Sequence, residues 1–186
     1  MKSGAEPIVE VYTLGIEIHL GWFYGIFLLF MLVASSNAVN ITDGLDGLAG
    51  GLSMIAFLTF ALISANSPAI EGTSDIAVFC FVLVGSLLGF LAFNSRPAKV
   101  FMGDTGSLAL GATMGSIAIL TRHELLLVLI GIVFVIETLT CIIQRIYYKF
   151  THKRLFLMTP IHHTFEKKGY SEREIVKIFC LIGIIA

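Results

Sequence analysis

Long apolar runs, cut at intervals by short polar stretches, constrain this chain more than any other feature. Runs over residues 22–38, 48–65, 75–93, 107–120 and 125–146 approach the length needed to cross a bilayer, and a sixth begins at 174. A spanning helix takes about 20 apolar residues, so residues 174–186 make only the start of one. The pattern predicts an all-α, polytopic transmembrane helix bundle of five spans plus the start of a sixth. Residues 1–186 are expected to form a single integral membrane domain. Composition agrees: the chain is 56% hydrophobic and 13% charged, against about 25% charged in a soluble domain, and its mean hydropathy is +0.91. A formal net charge of -1 gives no reason to expect a nucleic-acid partner.

Ahead of the first run, Ile8 to Tyr12 and Ile16 to Leu20 alternate around Gly15, which predicts a short hairpin or interfacial segment. Trp22 and Tyr24 suit a membrane-interface belt. The first ten residues are polar and hold no signal-peptide core. Cys80, Cys141 and Cys180 each sit alone in an apolar run and read as small buried residues. Small residues four apart (Gly47/Gly51, Gly85/Gly89 and Ser107/Gly111/Gly115) allow close helix contact in lipid.

Charge sets the expected orientation. With alternating spans, Arg96, Lys99, Arg145, Lys149, Lys153, Arg154, Lys167, Lys168, Arg173 and Lys177 share one side, and only Lys2 and Arg122 lie on the other. The positive-inside rule makes the first side cytoplasmic. Three polar segments, 37–47, 94–105 and 147–173, then converge on that face.

The first reads Asn37-Ala38-Val39-Asn40-Ile41-Thr42-Asp43-Gly44-Leu45-Asp46-Gly47. Asp43 and Asp46 are three apart and share a side of any helical turn. Two oxygen donors at a membrane edge suit a hard cation such as Mg2+, or a donor group on a nucleotide. Asp-Gly pairs also build plain turns, but ionisable groups this dense at a membrane edge call for a bound partner. In the second segment Asp104 stands just before the expected fourth helix and suits its dipole. The same helix start, Thr105-Gly106-Ser107, offers N–H groups to a phosphate. Phe101 serves either as a hydrophobic staple or as a stacking surface for a base. The third segment holds His162, His163 and Glu166 at a spacing that fits no zinc signature; its Lys and Arg content points to an anionic phosphate. Glu137, inside the fifth run, is either a functional carboxylate or the partner of a neighbouring helix, and Gln144 lies two turns on.

Together, Asn37-Ala38-Val39-Asn40-x-Thr42-Asp43-Gly44-Leu45-Asp46-Gly47, Phe101-Met102-Gly103-Asp104-x-Gly106-Ser107 and Pro160-Ile161-His162-His163-x-Phe165-Glu166 resemble the polyprenyl-phosphate N-acetylhexosamine-1-phosphate transferase superfamily. The third motif points to its phospho-N-acetylmuramoyl-pentapeptide transferase branch. The resemblance covers essentially the whole chain. It implies transfer of phospho-MurNAc-pentapeptide from UDP-MurNAc-pentapeptide to undecaprenyl phosphate, giving lipid I and UMP in peptidoglycan biosynthesis. It further implies an Mg2+ cofactor held by Asp104, with Asp43, Asp104 and His163 as catalytic residues. The implied substrate contacts are Asn40, Leu45, Asp46, Asn94, Phe101, Gly103, Gln144, His162 and His163, with Phe101 stacked on uracil. A multi-pass protein of the bacterial cytoplasmic membrane, working as a homodimer, is the implied setting.

Two departures stand out. Thr164 occupies the place of a third His. The family has ten spans, and its N-terminal half carries an adjacent Asp-Asp pair, so this chain resembles the C-terminal portion and is expected to be inactive in isolation. A UDP-GlcNAc:polyprenyl-phosphate GlcNAc-1-phosphate transferase keeps the same chemistry with another sugar, although the third motif argues against it. An ion-coupled transporter would use Asp43, Asp46 and Glu137 as a path, yet the acidic groups other than Glu137 gather at one face.

Overall fold

The computed structural model describes residues 8–11, 16–66 and 72–186. Ile8–Val11 (β1) and Ile16–His19 (β2) pair antiparallel, with Val9 opposite Ile18, so the expected hairpin forms. Its connection, with Gly15, lies outside the described residues, as does most of the expected loop around Pro68. The other regular elements among the described residues are helices: Phe23–Thr42 (α1), Leu48–Ala65 (α2), Thr73–Asn94 (α3), Gly103–Leu120 (α4), Leu126–Ile130 (α5), Ile132–Thr151 (α6), Ile161–Lys167 (α7) and Glu172–Ile185 (α8). The protein is an all-α bundle with a small hairpin at one end.

Among the described residues α1, α2 and α3 are long and apolar enough to cross a membrane. The run at 125–146 is not one continuous helix. It breaks at Gly131, whose φ of -96° and ψ of 21° leave the helical basin, and α6 then continues to Thr151. The fourth helix begins earlier than expected, at Gly103, so Asp104 lies inside its first turn and not ahead of it.

Helix α2 is the centre of the bundle, packing chiefly on α3 and also on α8, α4 and α1. Leu48, Ala49, Leu52, Ala56, Phe57, Phe60 and Ala61 are all buried along it. Small residues alternate there with Phe57 and Phe60, so neighbouring helices approach closely and large rings fill the spaces between them. The apolar faces of α1 and α3 remain open, with Phe30, Val33, Val78 and Val82 exposed. That pattern suits helices whose outer surface meets hydrocarbon.

The small-residue pairs divide by what they meet. On α4, a Cβ at Gly111 would stand 2.4 Å from the Ser35 carbonyl oxygen, so α1 and α4 touch backbone to backbone. Ser36 Oγ also donates to the Leu108 carbonyl at 2.9 Å. Gly85 and Gly89 on α3 have nothing within 4 Å.

Candidate functional site

The ends of α1 and α3 and the starts of α2, α4 and α8 meet on one side, and α6 reaches them through Glu137, so that the three motif-bearing segments come together. Asn40, in the last turn of α1, joins two of them. Its Nδ2 donates to Asp104 Oδ1 at 3.0 Å and to Ser107 Oγ at 2.9 Å. Ser107 in turn donates to the Gly103 carbonyl at 3.0 Å. Asp104 is exposed in the first turn of α4, where free N–H groups and the helix dipole favour negative charge.

Asp43 caps the end of α1 and is half-buried. Burial, and then the nearby charge of Asp104, push its carboxyl up from 3.8 to about 6. A carboxyl held up by burial and by a neighbouring carboxylate marks a place short of positive charge. Among the described residues no three His, Cys, Asp or Glu side chains gather as a ready-made metal set. Mg2+ asks for less, one or two carboxylates completed by substrate phosphates and water, and Asp104 with Asp43 beside it fits that donor set.

Asp46 and Asn94 anchor the segment between α3 and α4. Asp46 Oδ2 accepts from the Ala98 N–H at 3.0 Å. Asn94, only 4% exposed, accepts from the Gly47 N–H at 3.0 Å and donates to the Val100 carbonyl at 2.9 Å. The segment is also held from α8: Arg96 pairs with Glu172, and Arg173 donates to the Arg96 carbonyl at 3.0 Å. From this tied loop Phe101 projects into the open, 75% exposed. At that exposure it is not packed as a hydrophobic staple. Gly103, at a φ of 65°, turns the chain from Phe101 into α4.

The third segment approaches from behind. His162, on α7, is completely buried, with Nδ1 3.1 Å from Oε1 of the equally buried Glu137. On its other side lies the turn between α1 and α2, where a Cβ on Gly44 would come within 2.4 Å of His162 Nε2. His163 stacks obliquely on His162, ring centres 4.2 Å apart, and bonds Glu166. Thr164 is buried and locks its own loop, accepting from the Met158 N–H at 3.1 Å and donating to the Met158 carbonyl at 2.5 Å.

Three expected contacts face elsewhere: His162, fully buried between Glu137 and Gly44, Leu45 and Gln144. Leu45 is buried in the core. Gln144 is committed to its own loop, its Oε1 accepting from the Leu155 and Phe156 N–H groups at 3.0 Å each. The clamp from α8 had no place in the sequence reading, although Ser171 followed by Glu174 spells the capping box that starts that helix. The bond from Tyr24 to buried Glu124, 2.6 Å long at the far end of the bundle, joins residues 100 apart and has no local signal.

Along the bundle, α1, α4, α5 and α6 border an open apolar cavity of about 510 Å3, lined by Phe30, Met31, Met114, Phe134 and Leu139 and reaching Glu124. Asn37, one turn before Asn40, is also in its wall.

Residues 4–122 match the family described as glycosyl transferase family 4, and the chain belongs to that family. Among curated relatives, the phospho-N-acetylmuramoyl-pentapeptide-transferase of Geobacillus kaustophilus is 52% identical over 99% of this chain. Those of Listeria monocytogenes serotype 4b and Limosilactobacillus fermentum are 57% and 52% identical over 98% and 89% of it. The chain spans 51–56% of the length of these three relatives.

Proposed function

We propose that this chain carries the nucleotide- and metal-binding part of a phospho-N-acetylmuramoyl-pentapeptide transferase. The reaction passes phospho-MurNAc-pentapeptide from UDP-MurNAc-pentapeptide to undecaprenyl phosphate, releasing UMP. The observation that carries this reading is the Asn40 bridge, which ties the end of α1 to Asp104 in a chain 52–57% identical to transferases of that name.

Asp104 would hold Mg2+, with Asp43 next to it. The ion, when bound, neutralises diphosphate charge and eases departure of UMP. This chain's own residues do the rest. Phe101 offers its open face to the uracil. Asp46 and Asn94 act on the nucleotide by fixing the loop from which Phe101 projects. Backbone N–H groups at the start of α4 face the phosphates. His163 contacts the phosphate or the sugar-peptide, while buried His162 backs the turn that carries Asp43. The apolar cavity beside Asn37 takes part of the prenyl chain. The count of Lys and Arg supports a bacterial inner-membrane protein with this face to the cytoplasm.

The test uses the full-length protein in detergent with Mg2+ and undecaprenyl phosphate. UMP release is measured with UDP-MurNAc-pentapeptide and with UDP-GlcNAc, alongside Asp104→Asn. Turnover with the muramoyl donor alone, lost in the variant, supports the reading; turnover with UDP-GlcNAc overturns the sugar and keeps the chemistry. The 186-residue polypeptide by itself is expected to release no UMP.

A further inference from the structure

We propose that Glu137 is a positioning residue for His162, holding the Nδ1 side of the ring so that Nε2 is presented to the turn that carries Asp43. The proposal rests on the function given above, because it assigns His162 its task there.

Four observations converge. Glu137 and His162 are both 0% exposed, and their facing atoms lie 3.1 Å apart. The approach is within hydrogen-bond distance, yet both oxygens of Glu137 and both ring nitrogens of His162 are buried without a formed bond. Four such atoms in one spot are costly, since buried polar groups are as a rule satisfied. Apolar residues of the same volume would stabilise the bundle at least as well. A buried carboxylate kept beside a histidine is the arrangement that fixes a ring's tautomer and orientation. With Nδ1–H toward Glu137, Nε2 is left to act on the other side. That side is Gly44, where any Cβ would collide with the ring. Contact between ring and turn thus excludes a side chain at 44, and it links α6 to Asp43 through a single imidazole. Among the neighbours, His163 is bonded to Glu166, Thr140 Oγ1 donates to the Glu137 carbonyl at 2.8 Å, and Cys141 bonds Thr159.

The experiment is a double-mutant cycle in the full-length enzyme. Glu137→Gln, His162→Asn and the double variant are compared for kcat, for KM of the nucleotide donor, and for Tm in detergent. Glu137→Gln is expected to lower kcat about tenfold or more, the order seen when a carboxylate that orients a histidine is removed. KM and Tm should stay close to wild type, and the double variant should be no slower than His162→Asn. Gly44→Ala, which pushes the ring from the other side, should lower kcat similarly and add nothing to Glu137→Gln. Nitrogen-15 spectra of His-labelled protein supply a readout independent of turnover: the His162 ring signals should move in Glu137→Gln. Losses that multiply in the double variant, or a lowered Tm with unchanged kcat and unchanged ring signals, would overturn the proposal. If the wild type turns over only UDP-GlcNAc, the sugar assignment fails, and the same cycle run with that donor still decides the role of Glu137.

Discussion

Asp43 concentrates the electrostatics of the site in one side chain. Its carboxyl is raised to about 6, chiefly by burial and then by the charge of Asp104. In metal-free protein between about pH 4 and pH 6, the folded chain therefore keeps a proton that the unfolded chain has released. Stability should fall as pH rises through that window and stay low above it. Thermal unfolding without metal should show this fall in the wild type and not in Asp43→Asn. Added Mg2+ should restore Tm above pH 6 in the wild type and fail to do so in Asp104→Asn. Phe101 and Asn94, seven residues apart, should respond in opposite ways. Phe101 is open, so Phe101→Ala should leave stability within about 0.5 kcal/mol while weakening nucleotide binding by about 1–3 kcal/mol, the worth of a base stack. Asn94 is buried and bonded at both ends of its amide. Asn94→Ala strands the Gly47 N–H and the Val100 carbonyl and should cost about 1–3 kcal/mol of stability for each group left unsatisfied. Donor titration and detergent unfolding of the two variants check both. The motif placed both residues in a nucleotide pocket; only their burial distinguishes the one that can touch a base from the one that holds the loop.

Helices settle what a small residue is for. Gly111 and Gly85 look alike in the sequence, each on an apolar helix with a small neighbour four residues away. Backbone atoms of α1 occupy the space a Cβ at 111 would take, and nothing occupies it at 85. Gly111→Ala must separate α1 from α4, and should cost about 1–3 kcal/mol in detergent unfolding. It should also strain the Asn40–Asp104 bridge that spans the same pair. Gly85→Ala should be neutral or gain up to about 1 kcal/mol from helix propensity. The break at Gly131 and the early start of α4 are likewise matters of local backbone geometry. Hydropathy averaged over a window is insensitive to both, and the second moved Asp104 from before the helix into its first turn.

For the whole molecule, the strongest expectation concerns direction. Lys99 is exposed on the loop between α3 and α4, on the face read as cytoplasmic. In a cysteine-free background of the full-length protein, Lys99→Cys should resist a membrane-impermeant maleimide in intact cells and react in inverted vesicles. Reaction in intact cells would reverse the orientation. The membrane class, the helical bundle and the meeting of three polar segments on one side were all legible in the chain. They follow from hydropathy, charge and span parity, which are properties summed along the sequence. The motif spellings marked Asp43, Asp104, Phe101 and the histidine pair for the same reason: their chemistry is carried locally. The sequence was silent on Glu137 meeting His162 across 25 positions, on the α8 clamp over the Arg96 loop, and on Asp46 and Asn94 serving as anchors. Those pairings depend on which helices become neighbours and how far each is rotated. Packing and burial decide both, so these assignments came only with the tertiary structure.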